Sequence, residues 1–343
     1  MGTGMMRAVR LHGTGDVRVD TISRPVAPAP GEVILEVLAA GVCGTDLEDW
    51  QSGPRGDVQL PLTMGHEICG VVTEIGEDVE LEVGDHVVVE VNLPCHSCGW
   101  CARGESALCP FLIALGLQAD GGMAEAVRVP ASACVVIPTT LAPEMAVFAE
   151  PLAVAVHAVR RTDPMPEQSA VIIGGGPLGL LVAAVLRVRG LRPLLVEPDP
   201  RRLRVAAAFG IDAVEPPASM ALRHGTWGHD FAYVATGASE GVLLARRLAR
   251  RGGTIVLLGV GSEPIPLTSS ELLDSAQVIV PVLSHALRDV RDAVELLSFL
   301  QVDPTPLLSR RASLNEAPIV FEQLAGNPGH TMKCIFIIDG TER

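Results

Sequence analysis

The sequence predicts an α/β protein in two parts, a β-rich domain followed by a doubly wound parallel sheet. Three observations carry this expectation. Short strands between turns fill residues 7 to about 148, and apolar strands alternate with helical segments from about 152 to 287. A glycine-rich turn also joins the first strand of the second part to its first helix. With 343 residues, 48% of them hydrophobic, the chain can bury two sizeable cores.

In the first part, "VILEVLAAGV", "GVVTEIGE", "DHVVVEV" and "EAVRVP" read as strands, with Gly and Pro between them. In the second, "AVIIGGG" leads into helix-like "PLGLLVAAVLRVRG", strand-like "PLLVE" and helix-like "PRRLRVAAAFG". The alternation continues through "HDFAYVATGA", "GVLLARRLARRGG", "TIVLLGV" and "QVIVPVL". Helices are expected to end at Gly190, Gly210 and Gly252, because glycine tolerates the left-handed conformation of a helix C-terminus. The tail, with "RDVRDAVELLSFL" and "TMKCIFII", returns to mixed character and is assigned back to the first domain. The expected boundaries are 1–151 with 288–343, and 152–287, with a cysteine lobe at about 93–112.

Composition removes several function classes. A formal net charge of −14 repels phosphate backbones and no basic arm offsets it, so nucleic acid is not an expected partner. The longest uncharged apolar run, Val171 to Leu186, is broken by Gly174-Gly175-Gly176-Pro177, so no membrane span is expected. Behind Arg7 and Arg10 there is no apolar leader, and Met6 stands where a myristoylation signal needs Ser or Thr. A cytoplasmic protein is expected. Lys333 is the only lysine and lies in the apolar run Met332 to Ile338, which reads as a strand. Schiff-base chemistry and a P-loop are therefore poorly supported.

Gly174-Gly175-Gly176-Pro177-Leu178-Gly179 fits G-x-G-x-x-G between an apolar strand and a helix. Gly174 permits the tight turn, Gly176 lets the backbone approach a pyrophosphate, and Gly179 lets helix and strand pack closely. Free N–H groups at the helix start then attract phosphate. Glu197 ends the next strand, where a carboxylate accepts both ribose hydroxyls and repels a 2′-phosphate, favouring NAD over NADP. Arg202, a few residues on, suits a 2′-phosphate instead.

Cys95, Cys98, Cys101 and Cys109 follow C-x2-C-x2-C-x7-C, which in an intracellular chain argues for a metal rather than disulfides. Four thiolates close a tetrahedron around zinc and leave no open position, so this site holds structure and performs no chemistry. An iron–sulfur cluster competes, since the first three cysteines have ferredoxin spacing, but the last gap is too long and no second set exists. Cys43 and His66 are of the donor types zinc prefers. Each alone is read equally well as a buried thiol or a satisfied core histidine, and spacing by itself does not join residues 43, 66 and 150.

"GVCGTD", "GHEICGVV", "GDHVVV", the four-cysteine lobe, "DGGMAEAVRVP", "AEPLAVAVHA" and "GGGPLG" together resemble the zinc-dependent medium-chain dehydrogenase/reductase family, in its sorbitol, butanediol and threonine dehydrogenase branch. The resemblance spans nearly the whole chain. It implies a GroES-like domain carrying a catalytic zinc, a Rossmann domain binding a nicotinamide cofactor, a cleft between them, a second, structural zinc, and homodimers or homotetramers. It makes Cys43 and His66 catalytic zinc ligands, and Glu67 a carboxylate that ligates zinc or exchanges with its water. Glu150 stands where other members have a second cysteine ligand, which leaves open whether it binds directly or through water. Asp46 corresponds to the residue orienting His66, and also reads as a turn-capping aspartate.

Thr45 corresponds to the first member of a proton relay. Many relatives carry a histidine three positions on, where this chain has Glu48, whose reference pKa is about two units lower. Glu48 reads equally well as a solvated surface residue. The implied reaction moves a hydride between a secondary alcohol (a polyol, vicinal diol or cyclitol) and NAD, with a β-hydroxy amino acid such as L-threonine as the competing substrate. Trp50, Leu112, Ile113 and Leu115 are candidates to line its pocket, although core packing explains them as well. A zinc-stabilised binding protein without catalysis is the reading from another class; it leaves Cys43, His66 and the glycine fingerprint without a purpose.

Overall fold

The computed structural model describes residues 4–211, 214–215, 228–261, 263–326 and 331–338. The chain divides into two compact units. One comprises residues 1–150, 285–299 and 308–343, and the other residues 151–284 and 300–307.

The first unit opens with β1 (Met5–Gly13), β2 (Asp16–Ser23) and β3 (Glu32–Gly41), then α1 (Gly44–Ser52), β4 (Leu62–Thr63) and β5 (Glu67–Ile75). It continues through β6 (His86–Val89), β7 (Asn92–Leu93), α2 (Gly99–Ala102), β8 (Ile113–Ala114), β9 (Ala126–Pro130), β10 (Cys134–Val136) and α3 (Pro143–Ala146). Helix α4 (Ala149–Thr162) starts here, and the division between the units falls in its first turn.

The second unit contains β11 (Ala170–Ile173), α5 (Pro177–Val188), β12 (Leu194–Val196), α6 (Pro200–Ala208), β13 (Val214–Glu215) and β14 (His229–Val234). It goes on with α7 (Ser239–Leu248), β15 (Ala249–Leu257), α8 (Ser269–Ser275) and β16 (Val278–Pro281). The chain then returns to the first unit with α9 (Leu287–Ser298), β17 (Leu308–Ala312), α10 (Ala317–Gly326) and β18 (Lys333–Ile337).

The second unit is the doubly wound α/β sheet expected from the sequence. Its six strands are parallel and ordered β13-β12-β11-β14-β15-β16, which is 3-2-1-4-5-6 in order of appearance. Val171, Ile173, Val196, Val234 and Ile255 are buried in its core, as expected of strands covered on both faces. Gly190 and Gly210 follow α5 and α6 with positive φ, as the sequence predicts. Gly252 does not end a helix. Helix α7 stops at Leu248, and Gly252 lies inside β15, because the chain becomes extended at Ala249 and bulges against β14.

In the first unit, β3 is the organising strand. It pairs antiparallel with β5, β9 and β18, in a sheet ordered β10-β6-β5-β3-β18-β17. Val33, Leu35, Val37, Ile68, Val72 and Phe336 fill the core beside it. The C-terminal tail thus supplies strands to the N-terminal sheet, and its Ile335 lies opposite Gly41. Among the described residues no helix is long and apolar enough to cross a membrane.

Candidate active site

The end of β3 positions a compact donor group. On one side Gly41 lies opposite Glu67, the first residue of β5; on the other it lies opposite Ile335 of β18. The chain then turns through Val42 and Cys43 into α1, with Cys43 at the helix N-cap. The Cys43 sulfur, a ring nitrogen of His66 and a Glu67 carboxylate oxygen all lie within 4.8 Å of one another. His66 and Glu67 are buried, and Cys43 is partly exposed.

Around this group every interaction prepares a donor. The backbone N–H of Cys43 donates to Asp46 Oδ2 at 2.8 Å, while Asp46 Oδ1 faces His66 Nδ1 at 3.4 Å. Asp46 therefore does both things the sequence allowed, capping the turn and facing the histidine. Burial opposes a charge on His66, but Asp46 and Cys43 beside it push its pKa well above the ordinary value. Glu67 packs so closely on Gly41 that a Cβ there would lie 1.8 Å from Glu67 Oε2. Its Oε1 accepts from Lys333 Nζ, which also donates to Val42 O at 3.1 Å. Glu67 Oε2 is buried with no hydrogen-bond partner. A buried, unpartnered carboxylate oxygen beside a thiol and an imidazole is costly unless something electropositive meets it, so the donor set fits a divalent zinc ion.

Glu150, in the first turn of α4, stands outside this close group. Its Oε1 lies 3.1 Å from His285 Nε2, and His285 Nδ1 lies 3.0 Å from Glu90 Oε2. Glu90 Oε1 in turn accepts the backbone and side-chain N–H groups of Asn92, each at 2.8 Å. Burial raises the carboxyl of Glu150, but the His285 hydrogen bond and charge outweigh it and hold the pKa below the usual value.

Thr45 lies in the first turn of α1, its Oγ1 3.8 Å from Cys43 Sγ. Glu48 is not drawn into the group; it is half exposed and paired with Arg55. Of the residues considered for a pocket, Leu115 belongs to the core, Trp50 packs edge-on against Phe321 at 6.4 Å, and Ile113 is exposed.

The cysteine lobe forms a second donor cluster. Sulfur separations are 4.0 Å for Cys95 and Cys101, 3.5 Å for Cys98 and Cys101, and 3.9 Å for Cys98 and Cys109. Zn–S bonds of about 2.3 Å in a tetrahedron put sulfurs about 3.8 Å apart, so the lobe fits zinc closed by four thiolates.

In the second unit the glycine fingerprint follows β11. Gly174 has φ +105°, and a Cβ on Gly179 would lie 2.0 Å from Gly174 O, so both positions require glycine. Gly176 caps α5, Pro177 opens it and Leu178 continues its first turn. A Cβ on Gly176 would meet nothing within 4 Å, leaving open space over the helix N-terminus. Glu197 Oε2 accepts from Gly175 N at 2.7 Å, and Oε1 accepts from Asp199 N at 2.8 Å. Arg202 Nη1 lies 3.5 Å from Glu197 Oε2.

The sequence reading missed Glu90, His285 and any role for Lys333. Only Lys333 carried a signal: a single charged side chain in an apolar strand needs a buried partner.

Residues 29–139 match the alcohol dehydrogenase GroES-like domain family, and residues 177–298 the zinc-binding dehydrogenase family. Over 309 residues the chain is 32% identical to 2-dehydro-3-deoxy-L-galactonate 5-dehydrogenase from Pseudoalteromonas atlantica, covering 88% of this chain and 91% of that protein. Over 194 residues it is 41% identical to L-threonine 3-dehydrogenase from Pyrococcus horikoshii, covering 55% of this chain and 56% of that protein. A zinc-binding dehydrogenase from Sinorhizobium meliloti, bound to NADP, superposes with a TM-score of 0.90 at 31% identity, covering 97% of this chain and 99% of that one. Fold, donor chemistry and likeness together define an oxidoreductase of the zinc-containing alcohol/polyol dehydrogenase type. The chain belongs to the zinc-dependent medium-chain dehydrogenase/reductase family, the alcohol dehydrogenase superfamily.

Proposed function

We propose that the protein oxidises a secondary alcohol to the ketone with NAD as hydride acceptor, and runs the reverse reduction with NADH. The observation carrying this reading is the meeting of Cys43, His66 and Glu67 in one buried donor group. Zinc bound there supplies Lewis-acid polarisation of a substrate hydroxyl, comparable to the lowering of the pKa of bound water from 15.7 to about 7. Thr45 receives the hydroxyl proton, and Glu48, one helical turn on, passes it to solvent. The Gly174–Gly179 turn and Glu197 would hold a nicotinamide cofactor, which would supply a two-electron hydride acceptor for the carbinol carbon while one proton is released.

NAD is favoured because Glu197 sits at the end of β12, where it would accept ribose hydroxyls, while Arg202 and Arg201 are already committed to carboxylates. Cys95, Cys98, Cys101 and Cys109 hold a second, structural zinc. The likeness to a sugar-acid dehydrogenase supports a polyol, vicinal diol or cyclitol substrate. A β-hydroxy amino acid is the second reading, supported by the likeness to L-threonine 3-dehydrogenase. Strand β16 ends its sheet with Val278 exposed, which supports a homodimer or homotetramer, and a cytoplasmic location goes with this reading. A panel of polyols, diols, cyclitols and L-threonine followed by NADH absorbance tests the reading. NADH-dependent turnover of a polyhydroxylated substrate is expected; NAD(H) binding without turnover of any alcohol or ketone would sink it.

A further inference from the structure

The single lysine of the chain is spent on one carboxylate of the donor group. Lys333 is buried at the start of β18 and donates to Glu67 Oε1, and its second partner is the carbonyl of Val42, the residue before Cys43. Gly41 packs against Glu67 Oε2 and leaves no room for a Cβ. The carboxylate is thus wedged with one oxygen bonded to an ammonium group and the other, Oε2, buried and unpartnered.

We infer that Lys333 is a positioning residue that restricts Glu67 to a single, displaceable metal-facing oxygen and thereby keeps one position at the metal open for substrate. The inference rests on the zinc dehydrogenase reading above. Its logic is competition. A carboxylate with both oxygens free chelates a divalent cation, whereas one with an oxygen held by an ammonium group donates only the other. Lys333 also offsets one of the two negative charges that ionised Cys43 and Glu67 bring to the site. Removing it makes the donor set more anionic and frees the second oxygen, so the metal is gripped harder and its open position closes. A residue that merely braces the fold would produce the opposite on both counts.

The test uses full-length protein and a chromogenic chelator competing for zinc. The release phase missing from Cys43→Ala identifies zinc at this site and separates it from zinc in the cysteine lobe. In Lys333→Met that phase is expected to slow at least tenfold, while kcat falls at least tenfold and KM for NAD stays within twofold. Lys333→Arg, which still donates to Glu67, should recover most of both losses. Faster zinc release in Lys333→Met, or native kcat at full zinc occupancy, would overturn the inference. Should Lys333→Met not fold, Lys333→Gln, which loses the charge but keeps a donor, must still release zinc more slowly than the native protein, and native or faster release there overturns the inference. A native protein with no Cys43-dependent release phase and no turnover would instead remove the underlying reading.

Discussion

His285 Nε2 lies 3.1 Å from Glu150 Oε1 while the same ring's Nδ1 lies 3.0 Å from Glu90 Oε2, so one fully buried imidazole joins the buried carboxylate of Glu90 and the partly buried one of Glu150. Ionised carboxylates only accept, so this arrangement suits a His285 ring protonated on both nitrogens. Burial lowers its pKa, but the charge of Glu90 and the hydrogen bonds to both carboxylates raise it to about 10, from 6.5. Because the folded value lies above the unfolded one, the stabilisation is fully present below about pH 6.5 and is lost as pH rises through about 10. Thermal melts between pH 6 and 11 should therefore show a fall in melting temperature on the alkaline side that His285→Asn lacks. At pH 7, His285→Asn leaves the buried Glu90 and the partly buried Glu150 poorly paired and should cost about 3 kcal/mol or more in urea denaturation.

The two cysteine clusters should fail differently. Cys43→Ala removes a donor beside His66 and Glu67, so turnover should drop by more than about a hundredfold, beyond the effect typical of losing an outer partner, while NAD(H) still binds by fluorescence titration. Cys95→Ala opens the four-sulfur lobe and should lower the melting temperature and release about one zinc per chain by metal analysis. Native turnover in Cys43→Ala would refute the assignment of the chemical site.

Glu197 is expected to set cofactor choice. Glu197→Ser removes the carboxylate that repels a 2′-phosphate and frees Arg202, 3.5 Å away, so the NAD-to-NADP ratio of kcat/KM should fall at least about tenfold. The same change takes the acceptor from Gly175 N, so KM for NAD should rise as well. An unchanged ratio would show that specificity lies elsewhere.

Local chemistry was readable from the sequence wherever ligand and support lie close along the chain. The fingerprint from Gly174 to Gly179 and the four cysteines between 95 and 109 each report their geometry through spacing alone, because short segments have few ways to close. Asp46 and Cys43 share one helix start and were equally accessible. For Glu48 the spacing carried only part of the picture: its place three residues after Thr45 suggests a relay, whereas its Arg55 partner on the exposed surface is not implied by that spacing.

What the tertiary structure alone decided is which distant residues share charge. Lys333 reaches Glu67 only because β18 pairs with β3 in a register that sets Ile335 against Gly41. His285 joins Glu90 and Glu150 only because the chain re-enters the first unit at that residue. The sequence by itself determined the two folds, the donor types and the fingerprint, since periodicity and turn chemistry are local. The pairing of each buried carboxylate with its own cation was settled by long-range packing, because a buried charge takes whatever counter-charge the register brings to it, however far away that residue is in sequence.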